Sequence, residues 1–179
     1  MPNFNKHSDE IEFNSQELVF LDSGWIDRAK AIASKNEKKK FRTCLHFDES
    51  DDVHEMFIVH SKDTYVRPHT HIGRYESLQI LEGIGTVVMF SDDGEITQVK
   101  TVGDISSPYP FYYYMRTAMY HTILIDTDFL IFKETTQGPF NPEDTIFPVW
   151  APSDTEDKVT TSNYFQKLHE TIEKRREDR

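Results

Sequence analysis

Between Trp25 and Lys35 the apolar positions recur at helical spacing, with Trp25, Ile26, Ala29, Ile32 and Ala33 on one broad stripe. Asp22 and Ser23 stand where an N-cap belongs, so a short helix is predicted there. The run Lys38, Lys39, Lys40 follows and reads as a solvated helix end, favoured by the helix dipole. From Phe41 the period drops to two. MFIVH, TYVRP, ESLQIL, TVVMF, EITQV, FYYYM, HTILI and FLIFKE are short, rich in β-branched and aromatic residues, and separated by turn signals. SDDGE centres a hairpin on Asp93-Gly94, and Pro108 and Pro110 bracket a loop. Short strands at such intervals predict a sandwich or barrel. After Pro152 the polar linker SDTEDK leads to a second helical pattern. It runs from about Asn163 to Arg176, capped by Ser162, with Tyr164, Leu168 and Ile172 on one stripe. Residues 1–16 are polar and expected to be loose. The expected layout is an N-terminal extension with one helix (1–40), an all-β barrel (41–153), and a C-terminal linker and helix (154–179).

Composition narrows the partners. At 179 residues the chain is one domain by length, long enough to bury a core. Its formal net charge of −11 disfavours nucleic acid and anionic membrane surfaces. No apolar run approaches the ~20 residues of a membrane span, and TILIDTDFLIF is interrupted by Asp126 and Asp128. MPNFNKHSDE lacks the apolar centre of a signal peptide, so a cytoplasmic protein is expected. The single cysteine, Cys44, allows neither an intrachain disulfide nor a thiolate zinc cluster, and is expected to be a small buried residue.

The stretch YVRPHTHIGRYESLQILEG, Tyr65 to Gly83, carries the chemistry. His69 and His71, two residues apart on an extended segment, project from one face and can reach one metal ion. Glu76 supplies a carboxylate from the start of the next strand. This mixed nitrogen and oxygen set suits one divalent transition metal ion: Fe, Mn, Ni, Cu or Zn. Parity supports the placement. Glu76 shares a strand face with Leu78 and Ile80, and His121 shares one with Ile123 and Ile125.

His-x-His, four residues, Glu, six residues, Gly resembles the first motif of the cupin superfamily. Together with FSDDGEI, KETTQGPF and FPVWAPSD it is similar to the WbuC-type cupins, from about Phe41 to Ser153. Asp63 stands where that motif is usually preceded by glycine, and Arg116, Thr117 and Ala118 replace the usual Pro-x-Gly before the last histidine. The resemblance implies a jelly-roll barrel, the double-stranded β-helix, with short N- and C-terminal helices. It implies His121 as fourth ligand beside His69, His71 and Glu76, and a link to surface polysaccharide synthesis. It favours Glu134 over Lys133 as the inward residue of the last barrel strand. Arg42 and His46 also match polar positions of that family.

Three residues are candidates for chemistry beside the metal: Arg67, Tyr114 and Glu134. Arg67 shares the parity of His69 and His71 and can bind a carboxylate or phosphate. The run Phe111 to Tyr114 puts at least one tyrosine hydroxyl inward. Tyr65 and Tyr75 flank the motif as further donors. His7, His54, His60 and His169 have no spacing argument. The expected function is a metal-dependent enzyme of isomerase or dioxygenase type, acting on a small polar metabolite such as a sugar derivative. The alternative is a non-catalytic metal-dependent binder or sensor of a small ligand. Exposed strand edges imply a homodimer.

Overall fold

The computed structural model describes residues 3–62 and 64–177. Asp63 lies outside the described residues. In chain order the elements are β1 (Phe4–Lys6), β2 (Ile11–Asn14), α1 (Ser23–Lys35), β3 (Lys40–Cys44), β4 (Val53–Ser61), β5 (Thr70–His71), β6 (Glu76–Glu82) and β7 (Ile84–Phe90). There follow β8 (Ile96–Gly103), β9 (Tyr112–Met115), β10 (Tyr120–Ile125), β11 (Phe129–Gln137), a 3-10 turn (Pro142–Asp144), β12 (Thr145–Ile146) and α2 (Lys158–Glu177).

Seven strands form one sheet in the order β1-β2-β3-β4-β11-β6-β9, and three form the opposing sheet, β10-β7-β8. β5 pairs with β12, and paired main-chain hydrogen bonds between His69 and His121 tie that short ribbon to β10. The result is a jelly-roll barrel. Strand alternation decides what faces its interior. Met56, Ile58, Leu78, Ile80, Val87, Ile123 and Phe132 meet in one buried cluster between the sheets. Leu124 and Leu130 are almost wholly removed from water, each contributing about 1.5–3 kcal/mol.

The opposite parity serves the helices. Trp25, Ala29 and Ala33 of α1 pack on Phe41, Val59 and Ile131, outside the large sheet. A buried polar chain fastens this contact. Trp25 Nε1 donates to Thr43 Oγ1 at 3.0 Å, Thr43 Oγ1 donates to Glu12 at 2.6 Å, and Arg28 grips the same carboxylate with both guanidinium nitrogens. α2 covers the small sheet, with Leu168 and Ile172 against Val88, Phe90 and Leu124. The chain crosses between sheets at Gly83, which joins β6 to β7 at φ +90°. A Cβ there would press on the carbonyl oxygen of Phe129, so both torsion and space require glycine.

Four expectations need correction. Of residues 1–16, the described residues 3–16 are not loose: β1 and β2 form a hairpin, and β2 runs parallel to β3 with Ile11 and Phe13 packed on the core. The alternation of Ile11-Glu12-Phe13-Asn14 carries that signal. Thr64 to Pro68 is irregular rather than a strand. α2 begins at Lys158, with Asp157 accepting from the Thr160 amide at 2.9 Å, so Ser162 is not its cap. Lys35, not the lysine run, sits in the last turn of α1, and Lys40 turns inward on β3. Among the described residues no helix is long and apolar enough to cross a membrane.

Candidate metal centre

The site grows from three backbone elements. Pro68, fully buried, leads into the bridge residue His69 and then β5, which carries His71. β10 delivers His121 through that bridge, and β6 delivers Glu76 from its first residue. One nitrogen from each of His69, His71 and His121 lies within 4.8 Å of the others. Glu76 reaches both neighbours, with Oε1 3.2 Å from His121 Nε2 and Oε2 3.4 Å from His71 Nε2. The four residues read from sequence are brought together.

The opposite ring nitrogens are occupied. His69 Nδ1 lies 2.8 Å from the carbonyl oxygen of Arg67, and His121 Nδ1 2.9 Å from that of Met119. A carbonyl only accepts, so both rings carry their proton on Nδ1 and turn an unprotonated Nε2 to the centre when neutral. His71 Nδ1 lies 3.2 Å from Thr145 Oγ1 on β12. Such outer partners orient ligating imidazoles and raise their basicity.

Electrostatics agree. Burial pushes His69 down to about 3, with the His121 and His71 rings adding to it. Burial also lowers His71. Burial would lower His121, but the charge of Glu76 and its hydrogen bond raise it. Burial would raise Glu76, but His121 and His71 hold it below the usual carboxylate range. The pair therefore stabilises positive charge between Glu76 and His121 Nε2, where a cation would sit. Neutral His69 and His71, a His121 whose proton a metal would displace, an ionised carboxylate and a set free of thiolates fit a divalent transition metal with open positions.

The remaining candidates divide. Arg67 lines the cavity below this centre, over the Phe147 ring at 4.6 Å, with Nη2 3.5 Å from the Pro148 carbonyl. Glu134 faces the same cavity, while Lys133 turns away and pairs with Glu55 at 2.9 Å. Burial, then the charge of Glu76, pushes Glu134 up to about 7. Tyr114 is a correction: it stands outward and 54% exposed, as does Tyr112, and the hydroxyl in the cavity wall is that of Tyr113. The parity of β9 decides this, since Tyr113 pairs with inward-facing Leu78 and Tyr114 with Ser77. Tyr65 donates to the Pro152 carbonyl at 2.8 Å and packs on Phe165, and Tyr75 is exposed beside Tyr114. Arg116 is exposed in its loop. Cys44 is buried, its thiol pushed up to about 11 by burial.

Sequence reasoning passed over His54 and His60, which line the cavity with Met56 and Ile58 on the inward face of β4. Their period-two spacing with Met56 and Ile58 was the available signal. His46 is buried too, stacked on His54 at 4.0 Å.

A family model for a domain of unknown function, DUF6016, matches residues 21–102. Among solved structures, protein SO0799 from Shewanella oneidensis aligns at a TM-score of 0.50 and 12% identity, over 63% of this chain and 75% of that one. Bacillus subtilis oxalate decarboxylase, described with Mn(II) centres, aligns at a TM-score of 0.43 and 15% identity. That alignment takes in 54% of this chain and 24% of the decarboxylase. No curated protein matches by sequence. The fold is the cupin jelly roll.

Proposed function

We propose that the chain is a metal-dependent enzyme acting on a small polar metabolite such as a sugar derivative, with the ion held by His69, His71, Glu76 and His121. One observation carries this reading: three imidazoles meet within 4.8 Å, two of them reach the Glu76 carboxylate, and two of the Nδ1 atoms are held by main-chain carbonyls. When bound, the ion would supply Lewis-acid polarisation of a hydroxyl or carbonyl for isomerase-type chemistry or, if it is Fe(II), dioxygen activation for dioxygenase-type chemistry. The chain's own residues supply the rest. The cavity of roughly 470 Å³ encloses a hexose-sized molecule and sheds its water. Arg67 orients an acceptor group of the ligand beside the ion. Glu134, ready to gain or lose a proton near neutral pH, serves as acid or base.

Elemental analysis of protein purified without added metal tests the site. About one transition-metal ion per chain is expected, with far less in His121→Ala. Full metal retention in a folded His121→Ala variant would remove that residue from the shell. A Glu134→Gln variant should keep the metal, and its loss of turnover on a substrate found by thermal-shift screening would separate enzyme from binder.

The resemblance to WbuC-type cupins supports a sugar derivative from surface polysaccharide synthesis as the first class to screen. A homodimer is also proposed. α2 packs on its own sheet, so the strand edge at β9 is where a second copy would add. Sedimentation should give twice 21.0 kDa.

A further inference from the structure

We propose that the same cavity holds a carboxylate of the ligand away from the metal ligands, with Arg42 as its anchor. This rests on the reading of the cavity as the ligand site and adds what class of ligand enters it.

Three of the chain's arginines are taken up by carboxylates. Arg28 is bound to Glu12, Arg74 pairs with Asp144 at 2.9 Å, and Arg176 pairs with Glu173 at 2.6 Å. Among the described residues Arg42 has no carboxylate at ion-pair distance. Its side chain makes one polar contact, from Nη1 to Met56 Sδ at 3.6 Å, and a thioether is a weak acceptor. It sits on the inward face of β3, paired with Ile11 on one side and Ile58 on the other. Its guanidinium donors thus stand half-buried at the cavity wall, with little protein to bind. An arginine so placed can take up the carboxylate of a ligand.

Independent observations point the same way. Lys40 lies two residues away on the same face, directly across the ladder from His60. His60 is 9% exposed, lines the cavity, and has an unpartnered buried Nδ1. Arg67, at the metal end, has a buried Nε without a partner. Donors at both ends therefore face the enclosed space. Acids are present as well: Glu10 and Asp154 line the cavity near Lys40, and Glu134 stands across from Met56. None of them lies at ion-pair distance from Arg42, although Glu134 is near enough to feel its charge.

The strand registers give the span. Glu76 shares a rung with Thr136, and Glu134 lies one inward-facing rung deeper, beside Met56. The Arg42 guanidinium reaches that second rung through its contact with Met56. Two residues of strand separate the rungs, roughly 7 Å. A ligand with a hydroxyl or carbonyl at one end and a carboxylate a few bonds away would touch both the metal ligands' rung and Arg42. A planar guanidinium among Ile11, Ile58 and Met56 suits the flat, singly charged carboxylate. Phosphate is the competing anion, and titration of each distinguishes the two.

The experiment is calorimetric titration of succinate, butane-1,4-diol and inorganic phosphate into wild type, Arg42→Met and His121→Ala, each with its metal content measured. Succinate should bind wild type, and the diol should not. Arg42→Met should lose roughly tenfold or more in succinate affinity while keeping wild-type metal content. Because methionine fills much of the same space and the arginine makes no ion pair, the ligand-free melting temperature of Arg42→Met should stay level or rise. His121→Ala should lose metal yet still take succinate through Arg42, so failure of the metal reading and failure of this one are separately visible. The proposal is overturned if wild type takes up no succinate at millimolar concentration, if Arg42→Met binds it as wild type does, or if Arg42→Met lowers the melting temperature, which would mark a structural arginine. Binding of phosphate alone in an Arg42-dependent manner would overturn the carboxylate assignment.

Discussion

Six histidines line one cavity, and they form two groups with different neighbours. At the mouth, His69, His71 and His121 gather round Glu76. On the wall, His46 lies flat on His54, rings 4.0 Å apart and 12° from parallel, and His60 meets Phe132 edge-on. No carboxylate bonds the wall rings among the described residues. Burial pushes His46 down to about 4 and His60 to about 3. His69 behaves the same way, so burial by itself yields a neutral, apolar imidazole at either place. What distinguishes the mouth is one buried anion. Glu76 raises His121 and turns a group of neutral rings into a place for a cation.

The sharpest way to break this comparison is metal content across both groups. His121→Ala should weaken metal binding by about a hundredfold or more, since it removes a ligand and leaves Glu76 without its closest partner. His60→Phe should leave metal content unchanged. Equal losses in the two variants, read by elemental analysis of folded protein, would mean that the wall histidines also hold the ion.

Acid should affect the wall next. A histidine with a folded pKa below its unfolded value of about 6.5 is neutral in both states above that pH, so stability is then indifferent to it. Below about 6.5 the unfolded chain binds the proton and the folded chain does not. Stability therefore falls as pH drops toward 4 for His46 and 3 for His60. The expected slope is on the order of 1.4 kcal/mol per pH unit for each such group. Denaturant melts of the metal-free chain at stepped pH should show it, and His60→Phe should flatten it. An unchanged slope in that variant would show that His60 does not govern acid unfolding.

The mouth was legible in the sequence and the wall was not, for a physical reason. His69, His71 and Glu76 lie within one short stretch, where strand parity alone places them on a common face. The barrel was legible from the same alternation in ESLQIL, TVVMF and HTILI. His54 and His60 gain meaning only when β3 and β11 flank β4 and close a cavity over its inward face. Arg42 likewise is one more basic residue in FRTCLHF until the absence of a carboxylate beside it can be seen. Tyr114 failed by one position, because a run of tyrosines hides the phase of its strand until β6 supplies the register. The alternation that marks β2 rests on Ile11 and Phe13 alone, and so short a signal gains weight only beside the parallel partner β3.

The smallest predicted effect asks whether the mouth owes its affinity only to ligands. Thr145 on β12 reaches His71 Nδ1 through its hydroxyl at 3.2 Å, whereas His69 and His121 are held by main-chain carbonyls that no substitution removes. His71 is thus the one ring whose orientation rests on a side chain. Thr145→Val keeps the shape and the β-branched strand preference and deletes the hydroxyl. Metal affinity should fall by about tenfold, the lower end of what loss of an outer hydrogen bond costs. The fold should be untouched, because Thr145 is half-buried at a two-residue strand. Competition with a fluorescent chelator measures the change. Wild-type affinity in Thr145→Val would mean that packing, not the hydroxyl, sets the His71 ring. A loss equal to that of His121→Ala would mean instead that β12 itself had shifted, and with it the pairing to β5 that brings His71 to the centre.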